Sequence, residues 1–161
     1  MIQDEFQNQV ERHKRILYKV CHAYCRDPEG REDLAQEILF QLWRSFGKFD
    51  GRVQFSTWMY RIALNVAISF YRSEATRGRV VVVEEERVLA AVDPGEPEEV
   101  RALYAFINGL DPMHKALMLL YLDGFSYGEM AATLGISETN VATKISRMKQ
   151  RMKGELWNLT R

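Results

Sequence analysis

The chain has 161 residues, 47% of them apolar, with 22 basic and 22 acidic side chains and a formal net charge of zero. That length suits one compact domain or two small ones, and the apolar share is enough for a core. Zero net charge excludes a molecule that gathers polyanions by its overall field. No apolar run approaches the roughly 20 residues of a membrane span, and the opening MIQDEFQNQ lacks the pattern of a secretory signal. The expectation is a cytoplasmic protein with no membrane insertion.

The charge is unevenly placed. Between Glu84 and Glu99 there are seven acids against the single base Arg87, whereas from Ile136 to Arg161 six bases face the two acids Glu138 and Glu155. An acidic middle and a basic end point to a polyanion partner for the end only. The two cysteines, Cys21 and Cys25, lie one helical turn apart. A four-ligand metal set is not visible around them, so they are expected as core thiols, with no metal and no cofactor.

The first helix is expected from about Asp4 to Arg26, with Phe6, Val10, His13, Leu17, Val20, Cys21 and Tyr24 recurring at spacings near three and four. His13 reads as a hydrogen-bonded edge residue. Asp27-Pro28 restarts the chain as a cap followed by proline at the first helical position, and a second helix runs to about Phe46. Its buried stripe is Leu34, Ala35, Ile38, Leu42, Trp43 and Phe46. Asp33, Glu37, Phe40, Gln41 and Arg44 share an outer stripe. Phe40 there either marks a partner surface or tucks under the first helix.

A short loop with two glycines, Gly47–Gln54, leads into FSTWMYRIALNVAISFYR, Phe55–Arg72. At helical spacing Phe55, Trp58, Met59, Ile62, Ala63, Val66 and Phe70 form the apolar stripe, Ser56 is the expected cap, and Phe55 and Tyr60 form its staple. Arg61, Asn65, Ser69 and Arg72 line the opposite face. Two readings stand: a core helix with a solvated back, or a helix whose cations, amide and hydroxyl touch nucleic acid. From Ser73 to Pro97 the periodicity fails, and two glycines, two prolines and the acidic run read as a linker, with a short extended piece over the four valines 80–83.

A second helical unit starts near Glu98, with Val100, Leu103, Ile107 and Leu110 on one stripe. Asp111-Pro112 restarts a helix carrying Met113, Ala116, Leu117, Leu120 and Tyr121 and ending at Gly124. Ser126-Tyr127-Gly128-Glu129 is a capping box with Phe125 and Met130 as staple. That helix closes at Gly135, and Ser137 caps the next, with Ile136 and Val141 as a second staple. Two helices joined by a three-residue turn containing Gly form a helix-turn-helix. Ile136, Val141, Ile145, Met148 and Met152 seat the second helix. Its free side offers Glu138, Thr139, Ala142, Thr143, Ser146, Arg147, Lys149, Gln150 and Lys153. Short polar groups first and cations later fit a helix whose start meets bases and whose body meets phosphates.

Two blocks, Arg31–Arg72 and Leu122–Lys153, in this order and at this separation, resemble the sigma-70 superfamily, specifically the extracytoplasmic-function (ECF) sigma factors of bacterial RNA polymerase. The resemblance implies an all-α fold of two small helical domains joined by a flexible acidic linker: residues 1–75 as region 2, 76–97 as linker and 98–161 as region 4. It implies core RNA polymerase and promoter DNA as partners, with an anti-sigma factor as a further candidate. The core-polymerase face maps onto Asp33, Gln36, Glu37, Phe40, Gln41 and Arg44. The −10 DNA contacts map onto Lys48, Arg52, Trp58, Arg61, Asn65, Ser69 and Arg72, and the loop Gly47–Gln54 with Trp58 and Asn65 forms a pocket for a flipped base. The −35 contacts map onto Ser137, Glu138, Thr139, Ala142, Thr143, Lys144, Ser146, Arg147 and Lys149. Two positions depart from many relatives, Ser69 in place of Asp and Ala142 in place of a cation. The residues show no catalytic constellation, so no enzyme is expected. The other candidates are a stand-alone dimeric helix-turn-helix regulator and a protein–protein module that mimics this fold without using DNA.

Overall fold

The computed structural model describes residues 1–76 and 97–159, with side chains described for residues 1–74 and 97–155. The stretch 77–96, which holds the four valines and most of the acidic run, lies outside the described residues. The chain divides into two compact units, Met1–Arg77 and Gly78–Arg161, and the described residues are helical with no strand.

The first unit holds α1 (Ile2–Arg12), α2 (Lys14–Tyr24), α3 (Pro28–Ser45), a single 3-10 turn (Phe46–Lys48) and α4 (Phe55–Thr76). Helices α2, α3 and α4 pack on one another around the fully buried Val20, Ala23, Leu34, Ile38, Leu42, Met59, Ala63, Leu64 and Ala67. Asp27 caps α3 as its sequence demands, its carboxylate accepting from the Gly30 N–H at 2.8 Å, with Pro28 in the first turn.

Four details differ from the sequence-based expectation. The single helix over Asp4–Arg26 is two, broken at His13, whose backbone leaves the helical region (φ −115°, ψ 21°). There the imidazole Nδ1 lies 2.8 Å from the Gln9 carbonyl, which the His13 N–H also reaches at 3.2 Å, and the ring packs 5.1 Å from Phe55. A side chain that competes for a helix carbonyl and gains a tertiary contact favours the kink. Second, Ser56 is not the cap of α4: the Gln54 carbonyl accepts from the Trp58 N–H at 3.1 Å, so Gln54 holds the cap place, and the Phe55–Tyr60 staple is out of register. Both of those rings are buried all the same.

Third, the buried stripe of α4 is rotated. Met59, Tyr60, Ala63, Leu64, Ala67 and Ile68 are buried, while Trp58, Ile62, Val66 and Phe70 are only half-buried. The helix is apolar around most of its girth, so hydropathy cannot centre the stripe, and packing against α2 and α3 does. Fourth, Trp43, expected in the core, is 45% exposed, with its ring edge-on to Phe6 of α1 at 5.1 Å.

The second unit holds α5 (Glu98–Asn108), α6 (Pro112–Leu122), α7 (Tyr127–Leu134) and α8 (Glu138–Leu159). Residues Lys115–Leu120 of α6 are all buried, and α8 packs against α5, α6 and α7. The capping signals of the turn hold. Ser126 Oγ accepts from the Glu129 N–H (3.1 Å) and Glu129 Oε1 from the Ser126 N–H (3.3 Å), closing the capping box. Gly135 takes the left-handed conformation (φ 70°, ψ 32°), and the N–H groups of Gly135 and Ile136 both close on the Ala131 carbonyl. Ser137 Oγ then accepts from the Asn140 N–H at 3.1 Å and caps α8.

Nothing lies within 4 Å of where a Cβ on Gly135 would sit. The cost of Gly135→Ala is therefore backbone strain alone, about 1–2 kcal/mol, and Gly135→Asn should cost less because asparagine tolerates this region. Urea unfolding of the full chain measures both, and equal midpoints for Ala and Gly would remove the left-handed turn from the account.

Candidate functional site

Three surfaces carry the residues singled out in the sequence. On α3, Asp33, Gln36, Glu37, Phe40 and Arg44 are exposed and Gln41 is half-buried, its amide donating to Glu37 Oε1 at 3.2 Å. Phe40 is 56% exposed, so it does not tuck under α1. Trp43, three residues on, adds a second exposed ring that sequence reasoning had assigned to the core. An apolar ring pair set among carboxylates and a guanidinium is a surface suited to a protein partner.

On α4, Arg61, Asn65, Ser69 and Arg72 are all exposed. From Arg61 to Arg72 the helix rises about 16 Å, so these groups form a row along the axis rather than one cluster. Half-buried Ile62, Val66 and Phe70 run beside them, which gives the row an apolar border. The loop before α4 is tied by its own turn. Asp50 Oδ1 accepts from the Arg52 N–H (3.0 Å), Asp50 Oδ2 meets the Arg52 guanidinium (3.1 Å), and Gly51 takes φ +78°. Lys48 is exposed.

Trp58 sits in a cluster of rings, with centroids 5.1 Å from Phe49, 5.3 Å from Phe55 and 6.2 Å from Phe46. It holds the loop against the start of α4 from below. Asn65 lies about 10 Å further along the axis, so the helix does not bring it to the same point as Trp58. Phe49 went unnamed in the sequence reading, although its three-residue spacing from Phe46 is the signal that could have found it. Both rings line a cleft of about 530 Å³ with Gly47 of the loop and Gln9 and Arg12 of α1.

On α8, the buried row is Val141, Ile145 and Met148. Ser137, Glu138, Thr139, Thr143, Ser146 and Arg147 are exposed, and Ala142, Lys144 and Lys149 are half-buried. The hydroxyl of Thr143 donates to the Thr139 carbonyl at 3.0 Å. Glu138 leans back over the start of α7, with its Oε2 3.7 Å from the Cβ position of Gly128. Lys149 does not simply extend into solvent: its Nζ lies 4.7 Å from the centre of the Tyr121 ring of α6. Its pKa is raised, chiefly by its hydrogen bond to Tyr121. Asn140, also exposed in the first turn, was left out of the sequence reading. The asparagine at the third helical position, beside Thr139 and Thr143, was the available signal.

Cys21 and Cys25 are both buried thiols that form no disulfide. Burial pushes the Cys21 thiol up to about 12, against a smaller lowering by Arg31. Among the described residues no group of His, Cys, Asp and Glu could hold a metal ion, and no helix is long and apolar enough to cross a membrane.

Residues 9–77 match the family model described as Sigma-70 region 2, and residues 101–152 match the one described as Sigma-70, region 4. The ECF RNA polymerase sigma factor SigX of Bacillus subtilis (strain 168) is 28% identical, covering 88% of this chain and 78% of that protein. SigW of the same strain is 26% identical over 98% and 91%. Among solved structures, the sigma factor RpoE from Bartonella quintana, in complex with the anti-sigma factor NepR, is similar with a TM-score of 0.72 at 20% identity, covering 94% of this chain and 96% of that one. CnrH, in complex with the cytosolic domain of CnrY, gives 0.58 at 24% identity, covering 96% and 88%. At these identities the two structural likenesses speak for the fold.

Two outcomes follow from the buried thiol. Iodoacetamide at pH 8 should leave Cys21 unmodified in the native chain and label it in denaturant, as mass spectrometry would show. Because the folded pKa (about 12) lies above the ordinary 9.0, the unfolded chain loses this proton first. Stability should therefore fall as pH rises from about 9 towards 12, and the slope should shrink in Cys21→Ala. On α8, Arg147→Ala should lower the salt slope of DNA binding by about one, and Lys149→Ala by less, because Tyr121 holds that ammonium. Equal slopes for the two variants would contradict the tether.

Proposed function

The chain belongs to the sigma-70 family, beside its extracytoplasmic-function members, and works in promoter-specific transcription initiation; from that premise we propose how its residues divide the task. Residues 1–75 act as the region 2 domain, 76–97 as linker and 98–161 as the region 4 domain. The α3 face with Asp33, Gln36, Glu37, Phe40, Gln41 and Arg44 docks core RNA polymerase, and Trp43 extends it. The α4 row, with Lys48 of the loop, tracks the −10 strand: Arg61 and Arg72 meet phosphates, Asn65 offers a donor and an acceptor to a base edge, and Ser69 adds a hydroxyl. Trp58 and Phe49 shape the wall behind. Arg52 arrives already paired with Asp50, so phosphate binding there trades one partner for another. Exposed Thr139, Thr143 and Ser146 of α8 face the −35 bases, and Arg147 and Lys144 the phosphates.

The observation that carries this reading is the α4 row. A helix packed on one side against α2 and α3 leaves cations, an amide and a hydroxyl exposed on the other. The chain supplies binding and strand separation, with the chemistry left to polymerase, and it acts in the cytoplasm. An anti-sigma factor is a fitting regulatory partner, since the similar sigma factor RpoE was solved with the anti-sigma factor NepR. A gel shift on promoter DNA with and without core polymerase tests the whole reading: the specific complex should require polymerase.

Two variants separate the surfaces. Glu37→Lys should change stability by less than about 0.5 kcal/mol, as exposed charges do, and abolish pull-down of core enzyme. Asn65→Ala should keep the fold, core binding and the closed complex but lose open complex on duplex promoter. Holding a base out of the stack must repay a few kcal/mol of unstacking, so a template with a pre-melted −10 bubble should recover part of the loss. Permanganate reactivity of −10 thymines reports it, and wild-type opening by the variant would return α4 to a purely structural role.

A further inference from the structure

We infer that α8 reads the methyl group of a thymine through Thr143, and that Thr143 gives no hydrogen bond to a base; this rests on the reading of α8 as the −35 helix. Two observations on one helix carry it. Thr143 is exposed and, at about 100° per residue, lies almost opposite the buried row Val141, Ile145 and Met148. It is therefore central on the face that meets the groove. Its hydroxyl donates to the Thr139 carbonyl at 3.0 Å, which spends the one proton the side chain has. That bond also holds Oγ1 against the helix and fixes the rotamer, leaving the methyl as the uncommitted end of the side chain.

The Thr143 methyl is thus an apolar group at the centre of this face, among Thr139, Ser146 and Arg147. In the major groove only thymine presents an apolar group, its C5-methyl, and alanine and threonine methyls are the side-chain groups that meet it. A donor-reading threonine would instead seek N7 or O6 of a purine. The bond to Thr139 closes that route, while its lone pairs leave acceptance from an amino group as the competing mode. The two modes differ in what Val and Ser substitutions keep. Val retains the methyl and removes the oxygen; Ser retains the oxygen and removes the methyl.

The experiment uses the full chain with core polymerase. Duplexes are selected from a library randomised over the upstream element, and each thymine of the selected sequence is replaced singly by deoxyuridine. One position should lose about fourfold in affinity, the value of burying one methyl-sized group. Thr143→Val should bind as the parent does and keep that sensitivity. Thr143→Ser should bind the thymine duplex about fourfold more weakly and no longer sense the deoxyuridine exchange. The inference is overturned if no thymine is methyl-sensitive, if the Ser variant stays as sensitive as the parent, or if Val weakens binding where Ser does not. Failure to enrich any upstream sequence, with polymerase bound, would instead sink the −35 reading itself and this inference with it.

Discussion

The first unit depends on one steric fact: α4 lies close against α2 and α3, with alanines at Ala23, Ala63 and Ala67 fully buried. Small side chains let helix backbones approach, and interiors packed to crystal-like density tolerate little change in that spacing. Larger residues there would force the helices apart and turn the exposed row of α4 relative to the loop that precedes it. The position of Arg61, Asn65 and Ser69 is thus decided on the far side of the helix, by residues that touch no partner. In the second unit α8 is held in the same way, by Val141, Ile145 and Met148, and the polar face inherits its direction from that seam.

The parts legible in the sequence were those governed by short-range backbone bonding. Asp27-Pro28, Asp111-Pro112, Ser126 with Glu129, Gly135 and Ser137 each satisfy orphan N–H or C=O groups within a few residues. A pattern of that reach needs no knowledge of the rest of the fold. The exposed sides of α3, α4 and α8 were legible for a related reason, since charged and amide groups resist burial. What escaped was set by tertiary choice. The rotation of α4 depended on which part of a nearly all-apolar girth met α2 and α3. The break at His13 depended on Phe55, more than forty residues away in the chain. The tether of Lys149 depended on Tyr121 of another helix. Trp43 looked like core because tryptophan is large and apolar, yet it packs against Phe6 in a T-shaped contact and stays 45% exposed.

The neutral total charge fits a division of labour between two units. Net charge near zero gives little non-specific pull towards DNA, so neither α4 nor α8 is expected to hold a promoter strongly by itself. Two modest interfaces joined in one chain gain from effective concentration once something aligns them, without any added contact. On the proposed reading, the exposed rings of α3, Phe40 and Trp43, dock the polymerase that aligns them, on a helix separate from both proposed nucleic-acid faces.

The packing order within each unit also bears on how the protein is made. Helices α2, α3 and α4 contact their neighbours in sequence, and α6, α7 and α8 do the same. Loop-closure entropy is small for contacts so near along the chain, and helical topologies of this kind fold in microseconds to milliseconds. Synthesis adds only about 5–20 residues each second. Once the last turns of α4 clear the ribosome, the first unit has every element its core requires. It can complete folding while much of the second unit is still untranslated, so neither unit has to wait for the other to bury its apolar surface.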